Sequence, residues 1–144
     1  MRQALEYQAA LADPERGGLK VQTPEGRSLP ELPGRVLEAT YVDRTDALFF
    51  ITHDSLHEEQ LDISLVRNGQ LLDRLSIGQM FQPAEFGTLT QIEARRFTFT
   101  FPAEVTWALT VNQTPRFTLP NLRSAVSRLH LWQSYFVLTK CASS

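Results

Sequence analysis

Apolar and polar residues alternate along Leu61–Ile77, and this alternation predicts a β-hairpin. Successive side chains of a strand point to opposite faces, and the odd-numbered strand positions here are apolar except for Asp73, which we expect at the rim. Residues that face each other on antiparallel strands share a face of the sheet, so odd positions must pair with odd positions. A three-residue loop at 67–69 meets this condition by pairing Leu65 with Leu71, whereas a loop of two residues does not. We therefore predict the three-residue loop.

A second hairpin is predicted in Arg96–Val111, where phenylalanines and then other apolar residues alternate with threonines and alanine. A loop at Pro102-Ala103-Glu104 places Phe99 opposite Trp107, which creates an aromatic ladder on one face of the hairpin. Proline in that loop removes no hydrogen bond from the ladder between the strands. Two separate stretches of the chain thus predict a sheet with one buried face.

The fold class predicted from these patterns is mainly β, an antiparallel β-sandwich or barrel built from eight to ten short strands. A chain of 144 residues is long enough for one domain with a sizeable core. Residues 1–34 are predicted to form a short N-terminal helix, over 1–12, and a connection rich in proline and glycine. Residues 35–144 are predicted to form the antiparallel β domain, with a short helix near residues 121–129.

Two stretches are harder to assign from periodicity alone. Leu48–Ile51 is apolar without alternation, which is typical of a strand covered on both faces. Leu131–Thr139 contains Trp132 and Phe136, which favour a strand but would also continue a helical stripe from Leu129. We predict a strand in both stretches.

Cellular location is predicted from absences in the sequence. The longest apolar run, Ala47–Ile51, has five residues, far fewer than a membrane span requires. The N-terminus shows no basic and apolar leader, and the single cysteine, Cys141, cannot form an internal disulfide. These features predict a cytoplasmic protein without a membrane span.

The densest group of possible metal ligands lies in residues 53–59. His53 and His57 are four residues apart and would lie on one face of a helical turn, a spacing used to bind zinc. Asp54 or Glu58 could supply a third ligand. The alternative is a polar loop between two strands, so a divalent metal is a possible cofactor that the sequence leaves open.

Charge is distributed unevenly along the chain, although the formal net charge is only −2. Residues 43–62 hold six acidic residues against one basic residue, and no acidic residue follows Glu104. Two solvated faces of opposite charge are one interpretation, and a site for a nucleotide or another anion is the other. The candidate anion-binding residues are Arg95, Arg96, Arg116, Arg123 and Arg128.

Asp62-Ile63-Ser64 resembles the start of the aspartate-x-serine-x-x-glycine motif of PilZ barrels, which bind cyclic di-GMP. Arg67 stands where that motif has glycine, and no Arg-x-x-x-Arg pair precedes it. The stretch 119–136 resembles the end of the β domain that accompanies PilZ in flagellar-brake proteins, without the glutamine–arginine–arginine run of that family. This resemblance implies a nucleotide- or anion-binding β-barrel that uses the basic C-terminal residues.

The sequence contains no combination of residues that identifies an enzyme. Gly-x-Ser-x-Gly, a phosphate-binding loop and a dinucleotide fingerprint are all absent from it. Arg27–Pro33 has the spacing of a polyproline ligand, but we interpret it as a proline-rich connection.

The leading hypothesis from the sequence is a non-enzymatic β domain that binds a protein partner or forms a homo-oligomer. A loop at 78–87 is unusually apolar, and its residues Met80, Phe81 and Phe86 are the candidate interaction residues.

Overall fold

The computed structural model describes residues 1–54, 58–80, 85–102, 104–117, 126–130 and 132–141, and for residues 58, 79 and 80 it describes the backbone alone. Twelve strands are found in these ranges. They are β1 (Arg2–Gln3), β2 (Gln8–Asp13), β3 (Gly17–Gln22), β4 (Val36–Asp43), β5 (Asp46–Thr52), β6 (Glu58–Arg67), β7 (Gln70–Met80), β8 (Gly87–Glu93), β9 (Arg96–Thr100), β10 (Thr106–Phe117), β11 (Val126–Arg128) and β12 (Gln133–Lys140).

The strands form three antiparallel sheets. A six-stranded sheet has the order β1-β4-β5-β6-β7-β11, a four-stranded sheet the order β12-β10-β9-β8, and β2 and β3 form a two-stranded sheet. Each sheet has two edge strands, and in the described part of the chain none closes into a barrel. The prediction of a mainly β, antiparallel fold is therefore confirmed, and the closed barrel is not formed.

Neither predicted helix is present in the described ranges. Residues 8–13 form β2 and pair with β3, so the predicted N-terminal helix is wrong. Pairing with a strand that buries Leu19 and Val21 outweighs the helix propensity of the alanines in this stretch. In the second predicted helix, residues 126–128 form β11 beside β7, and residues 121–125 lie outside the described residues. None of the described residues belongs to a helix long and apolar enough to cross a membrane.

The main core lies between the six-stranded and four-stranded sheets. Phe50 of the larger sheet lies 5.9 Å, centroid to centroid, from both Phe97 and Phe99 of the smaller sheet, and all three are fully buried. Tyr41 meets Phe97 edge-on at 4.7 Å. Edge-to-face aromatic contacts of this kind stabilise a core beyond the area that they bury.

A second core lies on the opposite face of the six-stranded sheet, beneath β2 and β3. Phe49 and Ile51 pack there against Leu19, Val21 and residues of the proline-rich connection. Since the neighbouring positions 48 and 50 belong to the main core, every residue of β5 is buried. The prediction that this strand is covered on both faces is confirmed.

The hairpin of β6 and β7 differs from the prediction in its turn. Its loop has two residues, Asn68 and Gly69, with φ angles of 52° and 78°, a conformation typical of a type I′ turn. The three-residue loop is therefore wrong. Next to the turn, Val66 pairs with Leu71, an even position with an odd one. Position 72 of β7 has no partner and forms a bulge, so Leu65 pairs with Asp73 and the rest of the hairpin pairs odd with odd positions.

The aromatic hairpin forms with the predicted register. Phe99 pairs with Trp107, and the N–H group of Phe101 donates to the carbonyl of Val105 at 2.8 Å. The stretch that could have been helix or strand forms β12, which pairs with β10. Both predictions are confirmed.

Candidate functional site

Arg95 was predicted to bind an anion, but its guanidinium contacts the protein itself. It donates to Asp43 at 3.0 Å and to Asp46 at 2.9 Å, both in the turn region between β4 and β5. Its Nε donates to the carbonyl of Val111 in β10 at 2.8 Å. Arg67 adds a second guanidinium to Asp46, at 2.6 Å. These contacts tie the six-stranded sheet to the four-stranded sheet at one end of the molecule.

Asp46 remains ionised within this group of charges. Burial by itself would raise its pKa, but hydrogen bonds and charge attraction from Arg67 and Arg95 outweigh burial and lower the pKa below its ordinary value. The hydrogen bond to Asp46 and the charge of its carboxylate raise the pKa of Arg67. The group is therefore a structural clamp in which each charge has a partner.

Arg128 is likewise engaged inside the fold. It donates to the hydroxyl of Ser134 at 2.7 Å and to the carbonyl of Phe136 at 3.1 Å. Burial lowers its pKa, although the nearby Asp73 opposes this effect. Asp73 is only 1% exposed and accepts from the N–H group of Tyr135 at 2.8 Å, so the expectation that it lies at the rim is wrong.

The remaining candidate arginines differ in their surroundings. Arg96 forms an exposed ion pair with Glu93 at 3.2 Å, and Arg123 lies outside the described residues. Arg116 is exposed on β10, and it forms no ion pair with any described residue. Arg116 pairs with Ser134 in the sheet, so Arg116 and Arg128 are brought to the same region. Anion binding by these residues stays a prediction.

Of the proposed metal ligands, the structure describes the side chains of His53 and Asp54 alone. Nε2 of His53 is hydrogen-bonded to Asp62, a 1% exposed residue that also accepts from Ser76 and Gln60. Asp54 is exposed, His57 lies outside the described residues, and the backbone alone is described for Glu58. The described side chains include no group of three placed to hold a metal ion, and the metal site stays a prediction.

The residues that carry the resemblance to PilZ barrels are internal here. Asp62 is 1% exposed, and Ser64 is 0% exposed with a hydroxyl that has no described hydrogen-bond partner. Both residues therefore belong to the interior of the six-stranded sheet.

The predicted interaction loop contributes one described side chain to the main core. Phe86 stacks at 5.9 Å on Phe50 and lies 5.9 Å from Phe99. Phe81 lies outside the described residues, and for Met80 the backbone alone is described, as part of β7. The role of this loop in binding stays a prediction.

Among the residues that the structure describes, the most exposed rings lie on a different surface. Phe117 at the end of β10 and Trp132 just before β12 stack at 6.0 Å with an interplanar angle of 21°. Phe117 is 71% exposed and Trp132 is 54% exposed. Beside them lies an open groove of about 550 Å³. We call the groove together with the stacked pair at its rim the aromatic groove. The groove itself is lined by Leu72, Pro115, Leu129, His130, Trp132, Gln133 and Tyr135.

An irregularity between β10 and β12 creates this surface. Val111 pairs with Phe136 and Arg116 with Ser134, so four residues of β10 face a single residue of β12. The extra residues bulge out of β10, and the strand pairs with β12 again where Arg116 lies opposite Ser134 and Phe117 opposite Gln133. The sequence signal was the polar run 112–116, which interrupts the alternation just before Phe117.

Comparisons of the chain with protein-family models, curated proteins and solved structures return no significant match. The functional argument therefore depends on the geometry of the chain's own residues. Among the described surfaces, the aromatic groove combines the greatest ring exposure with a concave shape.

Proposed function

We propose that this chain is a non-enzymatic assembly domain whose copies associate through the aromatic groove. The stacked pair of Phe117 and Trp132 is the observation that carries this proposal. Aromatic rings bury about 150–250 Å² each when they are covered, at roughly 25 cal/mol per Å² of apolar area. Two large rings held together in water thus offer a strong driving force for association.

The composition of the groove supports binding to a protein. Aromatic residues and arginine are enriched in the centres of protein interfaces. Trp132 and Tyr135 line the groove, and the guanidinium of Arg67 lies behind its wall, 5.3 Å from the centroid of the Tyr135 ring. Rings that already stack in the free chain lose little conformational freedom on binding. These features are typical of the few residues that dominate binding energy in an interface.

The lining of the groove favours binding over catalysis. His130 is the one histidine that lines the groove, and its Nε2 lies 3.3 Å from the carbonyl oxygen of Leu72. General acid–base chemistry needs a second group within reach of the reacting atoms. No described carboxylate, serine, threonine or cysteine lines the groove beside His130.

A second copy is the partner that the shape of the surface favours. Phe117 is 71% exposed beside a groove of about 550 Å³, so one surface carries both a projecting ring and a concave site. The same surface on two copies can then meet in a self-complementary contact.

Light scattering of the purified chain tests this proposal. The mass should rise above 16.4 kDa as concentration increases, and Phe117→Ser with Trp132→Ser should weaken association at least 30-fold, about 2 kcal/mol. Leu5→Ser is the matched control, because Leu5 is 85% exposed but does not line the groove. A mass of 16.4 kDa at every concentration, or equal association of the double variant, would contradict the proposal.

A further inference from the structure

We infer that this chain also binds a small anion that carries a phosphate group, in a pocket lined by Arg27 and Arg44. We call this site the arginine pocket, and its volume is about 230 Å³. It shares no lining residue with the aromatic groove, so the inference does not depend on the proposed function.

Three turns of the chain meet at the arginine pocket. Arg27 belongs to the turn after β3, Arg44 to the turn between β4 and β5, and Asn68 to the turn between β6 and β7. The N–H group of Asn68 donates to the carbonyl of Thr45 at 3.1 Å and joins two of these turns. In the third turn, the N–H group of Arg27 donates to the hydroxyl of Thr23 at 3.1 Å. A site whose walls are already bonded loses little freedom when a ligand enters.

The arginine pocket carries positive charge without an acidic partner. Arg27 and Arg44 are exposed, and neither forms an ion pair with any described residue. Among the described residues that line the pocket, none is an aspartate or a glutamate. Asp43, next to Arg44 in the chain, is bound by Arg95 at 3.0 Å. Guanidinium groups with free donors suit phosphate, which accepts paired hydrogen bonds from them.

The backbone of Arg44 has a conformation that arginine rarely adopts. Its φ angle is 55°, in the left-handed region that glycine, asparagine and aspartate enter most readily. In the neighbouring turn, asparagine occupies such a position, Asn68 with a φ angle of 52°. Residues held in unfavourable backbone conformations are concentrated at binding sites, where the side chain is needed. The arginine at position 44 therefore indicates a use for its charge.

A neutral donor and buried apolar residues complete the arginine pocket. Burial, and after it the charge of Glu25, raises the pKa of Tyr7, so the hydroxyl of this lining residue keeps its proton and can donate a hydrogen bond. Ala47 and Val66, which are 7% and 2% exposed, also line the pocket. At about 30 Å³ for each water molecule, the volume holds roughly eight waters, enough for a phosphate group with a short organic chain.

Calorimetric titration of the purified chain tests the site with three anions: inorganic phosphate, glycerol 3-phosphate and succinate. Both phosphates should bind saturably with a Kd below about 1 mM, and succinate should not bind in that range. Tighter binding of glycerol 3-phosphate identifies an organic phosphate as the ligand, and tighter binding of inorganic phosphate identifies the free ion. Equal binding of succinate would contradict selection of a phosphate group.

Two substitutions assign the binding to the arginines. Arg27→Gln and Arg44→Gly should each weaken phosphate binding about 10-fold, because each removes one charged donor. Glycine adopts a positive φ angle without strain, so Arg44→Gly should not lower the urea midpoint, and its loss of affinity cannot come from unfolding. Arg16→Gln is the matched control, since Arg16 is exposed but does not line the pocket. It should bind phosphate as the wild type does.

The remaining outcomes decide against the inference. The site is wrong if no saturable binding of either phosphate appears up to about 10 mM. It is equally wrong if the variant with both Arg27→Gln and Arg44→Gly binds phosphate as the wild type does. Phe117→Ser with Trp132→Ser should leave phosphate binding unchanged, and its loss there would place the anion in the aromatic groove instead.

Discussion

Replacing Asp46 with alanine is expected to lower the free energy of unfolding by about 3 kcal/mol, because it removes a buried carboxylate that two arginines share. The side chain of Arg95 is only 13% exposed, and that of Asp46 is 6% exposed. Arg95 keeps Asp43, at 3.0 Å, and Arg67 is 28% exposed and can reach water, which together limit the loss. Urea denaturation followed by circular dichroism measures the change as a lower midpoint.

Glu93→Ala provides the control for the loss of Asp46. It removes the partner of Arg96 in an ion pair whose side chains are 47% and 63% exposed, and exposed pairs contribute about 0–1 kcal/mol. Equal losses in the two variants would contradict the role of the clamp.

The pH dependence gives a second readout of the same contacts. Burial raises the pKa of Asp46, but the hydrogen bonds from Arg67 and Arg95 lower it by more, so its pKa in the folded protein lies below 3.8. The stability contributed by this carboxylate is present above the unfolded pKa and is lost as the pH falls through the folded pKa. The difference between the wild type and Asp46→Ala should therefore shrink in acid below about pH 3.8. An unchanged difference there would show that the charge of Asp46 is not what stabilises the fold.

Replacing Gly34 with alanine is expected to destabilise the protein by about 3 kcal/mol, from overpacking and backbone strain together. A Cβ atom at this position would overlap Cγ2 of Ile51 and lie 3.2 Å from the carbonyl oxygen of Thr52. Ile51 is fully buried in the second core and cannot move aside. The φ angle of Gly34 is 120°, which side-chain-bearing residues rarely adopt.

Gly26→Ala separates the two contributions. Gly26 has a φ angle of 85°, but a Cβ atom there would have no neighbour within 4 Å. Only the backbone strain remains, and we expect a loss of about 1–2 kcal/mol. Thermal and urea unfolding of both variants would make the comparison. Similar losses at positions 34 and 26 would show that the approach of Gly34 to Ile51 does not matter.

The sequence predicts a strand and its register correctly where the alternation of apolar residues and the loop length require the same pairing. In the aromatic hairpin, the alternation of Phe97 and Phe99 with threonines fixes both the face and the register, and the structure has that register. In the β6–β7 hairpin, alternation gives the correct parity but not the turn. The bulge at position 72 reconciles a type I′ turn with that parity, and bulges have no strong sequence signal.

Long-range charge partners could not be read from the sequence. The sequence shows Arg95 and Arg128 as free cations, because Asp46 is 49 positions from Arg95 and Ser134 belongs to a separate strand. Asp73 interrupts an apolar face in the sequence, but in the fold it is buried beside β12, where it accepts a hydrogen bond from the N–H group of Tyr135. Such contacts depend on which sheets face each other, and local patterns do not determine that.

The aromatic groove was missed for the same reason. Phe117 and Trp132 lie outside the alternating stretches, and they meet only because β10 and β12 pair across a four-to-one irregularity. Isolated aromatic residues in a sequence are more often buried than exposed. The exposures of Phe117 (71%) and Trp132 (54%) follow from the fold, and the sequence alone does not indicate them.

The fluorescence of Trp132 tests most directly whether association covers the aromatic groove. The chain has two tryptophans, so Trp107→Phe leaves Trp132 as the single reporter and keeps an aromatic ring in the hairpin. As concentration rises, we predict that the emission of Trp132 shifts to shorter wavelength in step with the increase in mass, because its ring leaves water. An emission maximum that stays that of an exposed indole while the mass increases would show that the copies associate through another surface.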